Sequence, residues 1–242
     1  MGRFTGWERK RGAILELARL LRGAKSSLRP EAGDPAGLEG VRYILTLDGD
    51  TRLQPESARS LIGAALHPLN RPITDRRLGV VTAGHGVIQP RIGVDLASAC
   101  RNDFTRLFAG QGGTDPYTGD AGEVYMDLLD SGGFAGKGIL DVQAFLECMD
   151  ERIPEGRVLS HDALEGAFLR GGYLEDTEVT DGFPSSLLSY YRRLHRWTRG
   201  DWQNAPWLFR RGRALAGIER WRLFDSLCRS LTPPAILAAL LA

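Results

Sequence analysis

The stretch Tyr43-Ile44-Leu45-Thr46-Leu47-Asp48-Gly49-Asp50-Thr51-Arg52-Leu53 decides how this chain is read. Its first five residues are aromatic, aliphatic or β-branched, the composition of a short buried strand. Two carboxylates then flank one glycine. Ionised carboxylates at the end of an apolar strand are costly unless something positive neutralises them. A metal ion, an arginine and water are the candidates for that counter-charge.

Outward from this strand the pattern alternates. The spacing predicts a helix over 8–22, a Gly/Pro-rich polar connection over 24–40, the strand over 41–47, and a helix over 55–66. Pro55 suits the first turn of that helix and Glu56 its N-terminal dipole. GVVTAGHGVIQ, residues 79–89, reads as a second strand ended by Pro90. Residues 95–108 read as helical and 110–122 as a glycine-rich loop with a turn at Asp115-Pro116-Tyr117. Further helices are predicted over 138–149 and 161–170, a strand over 173–179, and a long arginine- and aromatic-rich helix over 187–210, broken at Pro206. The alternation predicts an α/β or α+β domain.

Composition narrows the function classes. With 31 Lys plus Arg against 30 Asp plus Glu, the formal charge of +1 gives no footing for an electrostatic nucleic-acid binder. Cys100, Cys148 and Cys228 are dispersed with no C-x-x-C pair, which points to reduced thiols rather than a disulfide framework or zinc site. The N-terminal apolar residues come at helical spacing interrupted by Glu16 and Arg19, unlike a signal peptide. After Thr232-Pro233-Pro234 the run AILAALLA is far shorter than the ~20 residues a bilayer crossing needs. It reads either as a short helix packed on the core or as the start of a membrane span.

A strand ending in D-x-D places both side chains in the crevice beyond its carboxyl end, where ligands bind in open α/β sheets. Mg²⁺ or Mn²⁺ suits Asp48 and Asp50, because hard cations prefer oxygen and share their shell with substrate phosphates. A plain turn, with Asp50 or Thr51 capping the next helix, is the bland alternative. Strand-D-x-D-x-T also resembles the haloacid-dehalogenase-type phosphatases, in which the first Asp is a nucleophile and the second an acid/base. That chemistry needs a downstream lysine, for which Lys137 is the candidate. It also needs a late acidic cluster, and none with the expected Gly-Asp context is present.

Two more segments stand out, LSHDALEG at 159–166 and LHRWTRGDWQ at 194–203. Taken singly, Asp162 reads as a helix cap and the Arg/Trp segment as an amphipathic helix. Taken in order, Asp48-x-Asp50, a lone Asp162 and Arg196-Trp197 resemble the processive, membrane-bound, family 2-like glycosyltransferases of GT-A fold. With HPLNRP, GVIQPR, DPYTGD and GKGILD added, the chain is similar to the glycosyltransferase domain of cyclic β-1,2-glucan synthases from about Trp7 to Trp207.

The resemblance implies a GT-A-like, Rossmann-like mixed sheet flanked by helices. It implies that Asp48 and Asp50 hold a divalent metal on the diphosphate of UDP-glucose, and that Asp162 is the base of an inverting transfer to a growing β-glucan. It further implies that Arg196 pairs with pyrophosphate, that Trp197 stacks on the acceptor sugar with Trp202 as a weaker candidate, and that Lys137 contacts phosphate or acceptor. Two departures stand out. Arg193 occupies the position of the expected Gln, and His161 precedes the base where Glu is usual. Such a histidine either tunes the base or binds substrate.

Few residues precede Asp48, so the nucleoside-binding strands that open a GT-A domain are expected to lie outside this chain. The resemblance divides it into a partial GT-A domain over 1–210 and, over 211–242, an interface helix leading into a truncated membrane segment. It places the full-length protein at the cytoplasmic face of a bacterial inner membrane. A non-catalytic glucan-binding remnant is the remaining alternative. The isolated chain is accordingly expected to bind UDP-glucose weakly or not at all; tight Mn²⁺-dependent binding by calorimetry would contradict this.

Overall fold

The computed structural model describes residues 6–29, 31–110, 118–210 and 215–242. The strand at Tyr43 is β1 (Tyr43–Thr46), followed after residues 47–50 by β2 (Thr51–Leu53). β3 (Ile73–Asp75) and β4 (Val80–Ala83) form a separate antiparallel hairpin. β5 (Val87–Val94), β6 (Gly138–Asp141) and β7 (Gly172–Asp181) complete a sheet of order β1-β6-β5-β7-β2. β6 runs antiparallel to β1 and β5, β7 runs parallel to β5, and β2 runs antiparallel to β7. The strands β1, β5 and β7 therefore point the same way, and their carboxyl ends share one rim.

β1 and β2 are opposite edges of this sheet, yet only residues 47–50 separate them. Even fully extended at about 3.6 Å per residue, so short a link falls short of four strand spacings of about 4.8 Å laid flat. Sheet twist and curl must therefore bring the edges together, and the D-x-D segment closes the join as a tight turn, with the Thr51 N–H on the Asp48 carbonyl at 3.1 Å.

Helices cover both faces. α1 (Arg9–Leu21), α6 (Val142–Met149) and α7 (Asp162–Leu169) contribute Ile14, Leu15, Phe145, Cys148, Leu164 and Phe168 to one core, which also takes Val87 and Leu140 from the sheet. α2 (Ser57–Leu66) lays Leu61 and Ala65 on Ile88 and Ile139 across the other face. Adjacent β6 residues Ile139 and Leu140 thus feed different cores, as period-two alternation requires. The result is a mixed α/β domain, compatible with a Rossmann-like fold. The remaining helices are α3 (Leu96–Ala99), α4 (Asp103–Phe108), α5 (Asp120–Leu129), α8 (Leu187–Asn204), α9 (Pro206–Phe209) and α10 (Gly217–Leu241).

Several sequence expectations need correction. GILD begins as strand β6, because a strand buried on both faces gives the same unbroken apolar run as a helix start. The strand expected over 79–89 is two strands, split at Gly84, where φ is +63° and an added Cβ would lie 2.0 Å from the Arg71 carbonyl oxygen. β5 continues through Pro90, which sits at the shift of register between Pro90 and Arg91. The helix over 95–108 is broken into α3 and α4, the second opened by an Asn102–Thr105 capping box. Pro55 lies before α2, whose N-cap is Glu56. The loop expected over 110–122 gives way to α5 at Asp120, and the turn at Asp115-Pro116-Tyr117 falls outside the described residues.

The C-terminal run extends α10, which carries Pro233 and Pro234 within it. Ile236, Leu237, Leu240 and Leu241 are exposed, so this end is not packed on the core. Among the described residues no helix is long and apolar enough to cross a membrane.

Removing the α2 anchor tests the two-core description. Leu61→Ala, at a fully buried site, is expected to cost about 2–5 kcal/mol in denaturant unfolding. Leu96→Ala, on an exposed side chain, should stay within about 0.5 kcal/mol.

Candidate functional site

The rim where β1, β5 and β7 end opens into a cavity of about 1010 Å³. Asp48, Asp50, Lys137, Asp162, Arg196 and Trp197 all line it. Residues from four separate parts of the chain thus face one space at the carboxyl ends of parallel strands, the usual ligand position in α/β sheets.

The D-x-D segment is a turn with its own local fastenings. The Thr51 N–H donates to the Asp48 carbonyl at 3.1 Å and the Asp48 N–H to Thr51 Oγ1 at 3.3 Å. The Thr51 hydroxyl donates to Asp181 Oδ1 at 2.6 Å, and the Gly182 N–H to the Asp50 carbonyl at 3.2 Å. The threonine of D-x-D-x-T is therefore explained as the pin that ties the turn to the end of β7.

The counter-charge comes from two lysines and an arginine. Lys10 Nζ of α1 lies 2.7 Å from Asp48 Oδ1, and Lys137 Nζ lies 2.9 Å from Asp48 Oδ2 and 2.9 Å from Asp181 Oδ2. Burial pushes the Asp48 carboxyl up, but Lys137 and Lys10 more than offset this and leave its pKa below the ordinary value. Burial likewise lowers the Lys137 ammonium, and Asp181 and Asp48 more than restore it. Lys137, expected as a contact for phosphate or acceptor, is spent on two carboxylates of the protein. Asp50 is 3.1 Å from Arg193 Nη2, which also donates to the Gly182 carbonyl. The arginine in place of glutamine thus has a definite partner.

Asp50 retains 46% of its side-chain exposure and lines the cavity, so its carboxylate fits a hard divalent cation. Among the described residues, three metal-type donors converge only at His161, Asp162 and Glu165. The Asp48/Asp50 pair would therefore leave most of a cation's shell to substrate oxygens.

Asp162 is the first residue of α7, and the N-cap position falls to His161, which makes no side-chain cap bond. The loop before β6 presses on it: a Cβ on Gly136 would lie 2.9 Å from Asp162 Oδ1, and φ there is +81°. Desolvation at the cavity wall raises the Asp162 pKa, with His161 pulling the other way. A carboxylate raised in this manner is a better proton acceptor, the property a general base needs.

The Arg/Trp helix is clasped to the segment before α7. The Leu159 N–H donates to Gln203 Oε1 at 2.9 Å, and Asn204 Nδ2 donates to the Ser160 carbonyl at 3.2 Å. Gly200 makes the approach possible, since a Cβ there would stand 2.3 Å from that of Ser160. This contact sets Arg196 and Trp197 over the same cavity as Asp162. The Arg193 guanidinium lies 5.8 Å from the centre of the Trp197 ring. Trp202 does not line the cavity; its indole N–H donates to Ser230 Oγ at 3.2 Å.

Sequence reasoning missed four features. Lys10 and Asp181 complete the charge network, Glu165 sits under His161, and α10 supplies a wall through Glu219, Arg222 and Arg229. A signal for the lysines was present: Lys10, Lys25 and Lys137 are the whole lysine complement, and two of the three meet on Asp48. α10 lies beyond the expected division at residue 210. Its buried Glu219 accepts from Ser131 Oγ at 2.8 Å and pairs with Arg222 at 3.0 Å, fastening it to the loop at 131–132.

The chain is 41% identical over 239 residues, 98% of its length, to the cyclic β-(1,2)-glucan synthase NdvB of Rhizobium meliloti (strain 1021). It spans about 8% of the length of that protein. No protein-family model matches the chain.

The charge network carries its own test. Lys137→Met leaves Asp48 and Asp181 facing each other and is expected to cost about 3–5 kcal/mol in denaturant unfolding. A carboxyl held below its ordinary pKa contributes stability above the unfolded value, about 3.9 for Asp, and loses it as pH falls through the folded one. Acid unfolding of Lys137→Met, followed by circular dichroism, should therefore begin at higher pH than in the parent chain.

Proposed function

We propose that this chain is the acceptor- and metal-side part of an inverting glycosyltransferase that moves glucose from UDP-glucose to a growing β-glucan, β-1,2-linked. The observation that carries the reading is the meeting of Asp48, Asp50, Asp162, Arg196 and Trp197 on one cavity. Similarity to a cyclic β-(1,2)-glucan synthase supports the product class, and the order of the three motifs supports the reaction type.

Asp162 takes the proton of the acceptor hydroxyl while that oxygen bonds to the anomeric carbon. The bond from that carbon to the phosphate oxygen breaks on the opposite face, and its electron pair leaves with UDP. Attack from the far side inverts the centre, so an α-linked donor yields a β-linked product. Arg196 offers a planar guanidinium to the pyrophosphate oxygens, and Trp197 offers an indole face to the acceptor sugar. Arg193 holds Asp50 in place at the rim. Mg²⁺ or Mn²⁺ held by Asp50, with Asp48 beside it, would supply neutralisation of the charge that builds on the departing diphosphate. Lys10 and Lys137 keep Asp48 ionised and oriented before any substrate arrives.

The full-length protein would work at the cytoplasmic face of the bacterial inner membrane. The exposed apolar end of α10 is the part of this chain that supports a membrane-side position.

The test uses the longer polypeptide that carries this segment. Asp162→Asn is expected to lower UDP release by about 100- to 10,000-fold, the range for a lost general base, with the fold retained by circular dichroism. Turnover of a generic phosphomonoester that vanishes in Asp48→Asn would instead establish the phosphatase reading.

A further inference from the structure

We propose that Glu165 and His161 are positioning residues for Asp162: the buried glutamate holds the imidazole as a cation, and that cation orients the Asp162 carboxylate and keeps it ionised. The inference rests on the reading of Asp162 as the base. It concerns two residues to which the D-x-D, lone-Asp and R-W pattern assigns nothing.

The geometry begins with helical spacing. His161 and Glu165 are four residues apart at the start of α7, which puts their side chains on one face. His161 Nδ1 lies 2.9 Å from Glu165 Oε1 and 3.6 Å from Asp162 Oδ1. Glu165 is 0% exposed and His161 5%. Among the described residues neither Glu165 oxygen nor His161 Nδ1 has a hydrogen bond of ordinary geometry, so their approach is a contact of charges. A buried carboxylate in that position needs a positive partner, and the imidazole is the group within reach.

The surrounding charges leave this task to His161. From α1 and its cap, Arg11 and Glu8 face the imidazole, but they pair with each other at 2.5 Å and so nearly cancel. Lys10 and Asp48 face Asp162, and the Lys10 ammonium is already divided between Asp48 and the Gly136 carbonyl. Burial disfavours a charged His161, yet Glu165 and Asp162 more than offset it and raise its pKa. Reciprocally, His161 is the strongest influence opposing the desolvation of Asp162. The two readings left open for this histidine are thereby separated. With Nδ1 2.9 Å from Glu165 Oε1 and almost no surface of its own, it tunes the base rather than binding substrate.

The test has an arm that needs no activity. In the full 242-residue chain labelled with ¹⁵N-histidine, only four imidazoles titrate: His67, His85, His161 and His195. His161 is expected to carry protons on both nitrogens at pH 7, with a midpoint above the ordinary imidazole value. Glu165→Gln should lower that midpoint by at least one pH unit, and Asp162→Asn should lower it by less. In the longer polypeptide, Glu165→Gln should cut kcat at least tenfold with donor KM within twofold. It should also move the acidic limb of the rate profile to higher pH, because the pull of His161 on Asp162 exceeds the push of Glu165. Glu165→Asp should restore part of both effects, which a purely structural role would not.

A neutral His161 at pH 7 in the unaltered chain overturns the proposal without reference to any variant's folding. So does micromolar Zn²⁺ that displaces the His161 proton, which would make the three residues a metal site. A protonated His161 with undiminished transfer in Asp162→Asn overturns the assignment of the base, and this role with it, whereas a neutral His161 overturns this role alone.

Discussion

One ammonium group, that of Lys137, stands between Asp48, just past the end of β1, and Asp181, the last residue of β7. The rest of the site depends on it. Three strands deliver their carboxyl ends to one rim, and the sequence sets an aspartate at or just past the end of two of them, Asp48 after β1 and Asp181 in β7. Without a cation between them, Asp48 and Asp181 would repel at the place where the sheet must curl to join its edges. Lys137 reaches that place because it opens β6, the antiparallel strand between β1 and β5. A lysine suits the position, since its compact charge on a flexible stem can serve two carboxylates from a buried root.

Around this centre the walls are set by helices that arrive from distant parts of the chain. α1 adds Lys10 to the other oxygen of Asp48. α8 comes close enough to place Arg196 and Trp197 because Gly200 lets it rest on Ser160. α10 is tied down through Glu219, Arg222 and Ser131. Each wall is fastened by buried or half-buried polar contacts rather than by apolar packing alone, and such contacts fix orientation more sharply than hydrophobic burial does. Under the proposed function a proton acceptor, a guanidinium and an indole must surround one sugar diphosphate, and that arrangement needs this kind of precision.

The same network changes what the D-x-D-x-T stretch means. Its threonine served the phosphatase resemblance, but in the fold it is a strut from the turn to Asp181. Its aspartates suggested a bare metal pair. In the fold, Asp48 is already neutralised by the protein, and Asp50 is the more open of the two by a small margin. Short motifs are ambiguous in this way because the same few residues can satisfy a turn, a charge network or a ligand.

The sequence by itself determined the local elements whose pattern is periodic: α1, β1, α2, α7 and α8 stand close to where spacing puts them. It also determined which residues would gather, because carboxylates after an apolar strand and an Arg-Trp pair on a helix are chemically conspicuous. It left GILD, the split at Gly84 and the helix α5 undecided, since a short apolar run or a glycine reads alike in strand, turn and helix. Tertiary structure alone decided the partners. Lys10 and Asp181, far apart in the chain, join one network only because the sheet curls, Lys10 through Asp48 and Asp181 through Lys137. Glu165 becomes a buried carboxyl only once α7 is packed against α6 and β4. Charge pairing across such distances leaves no periodic trace, because it depends on where the backbone ends up and not on what lies next to it.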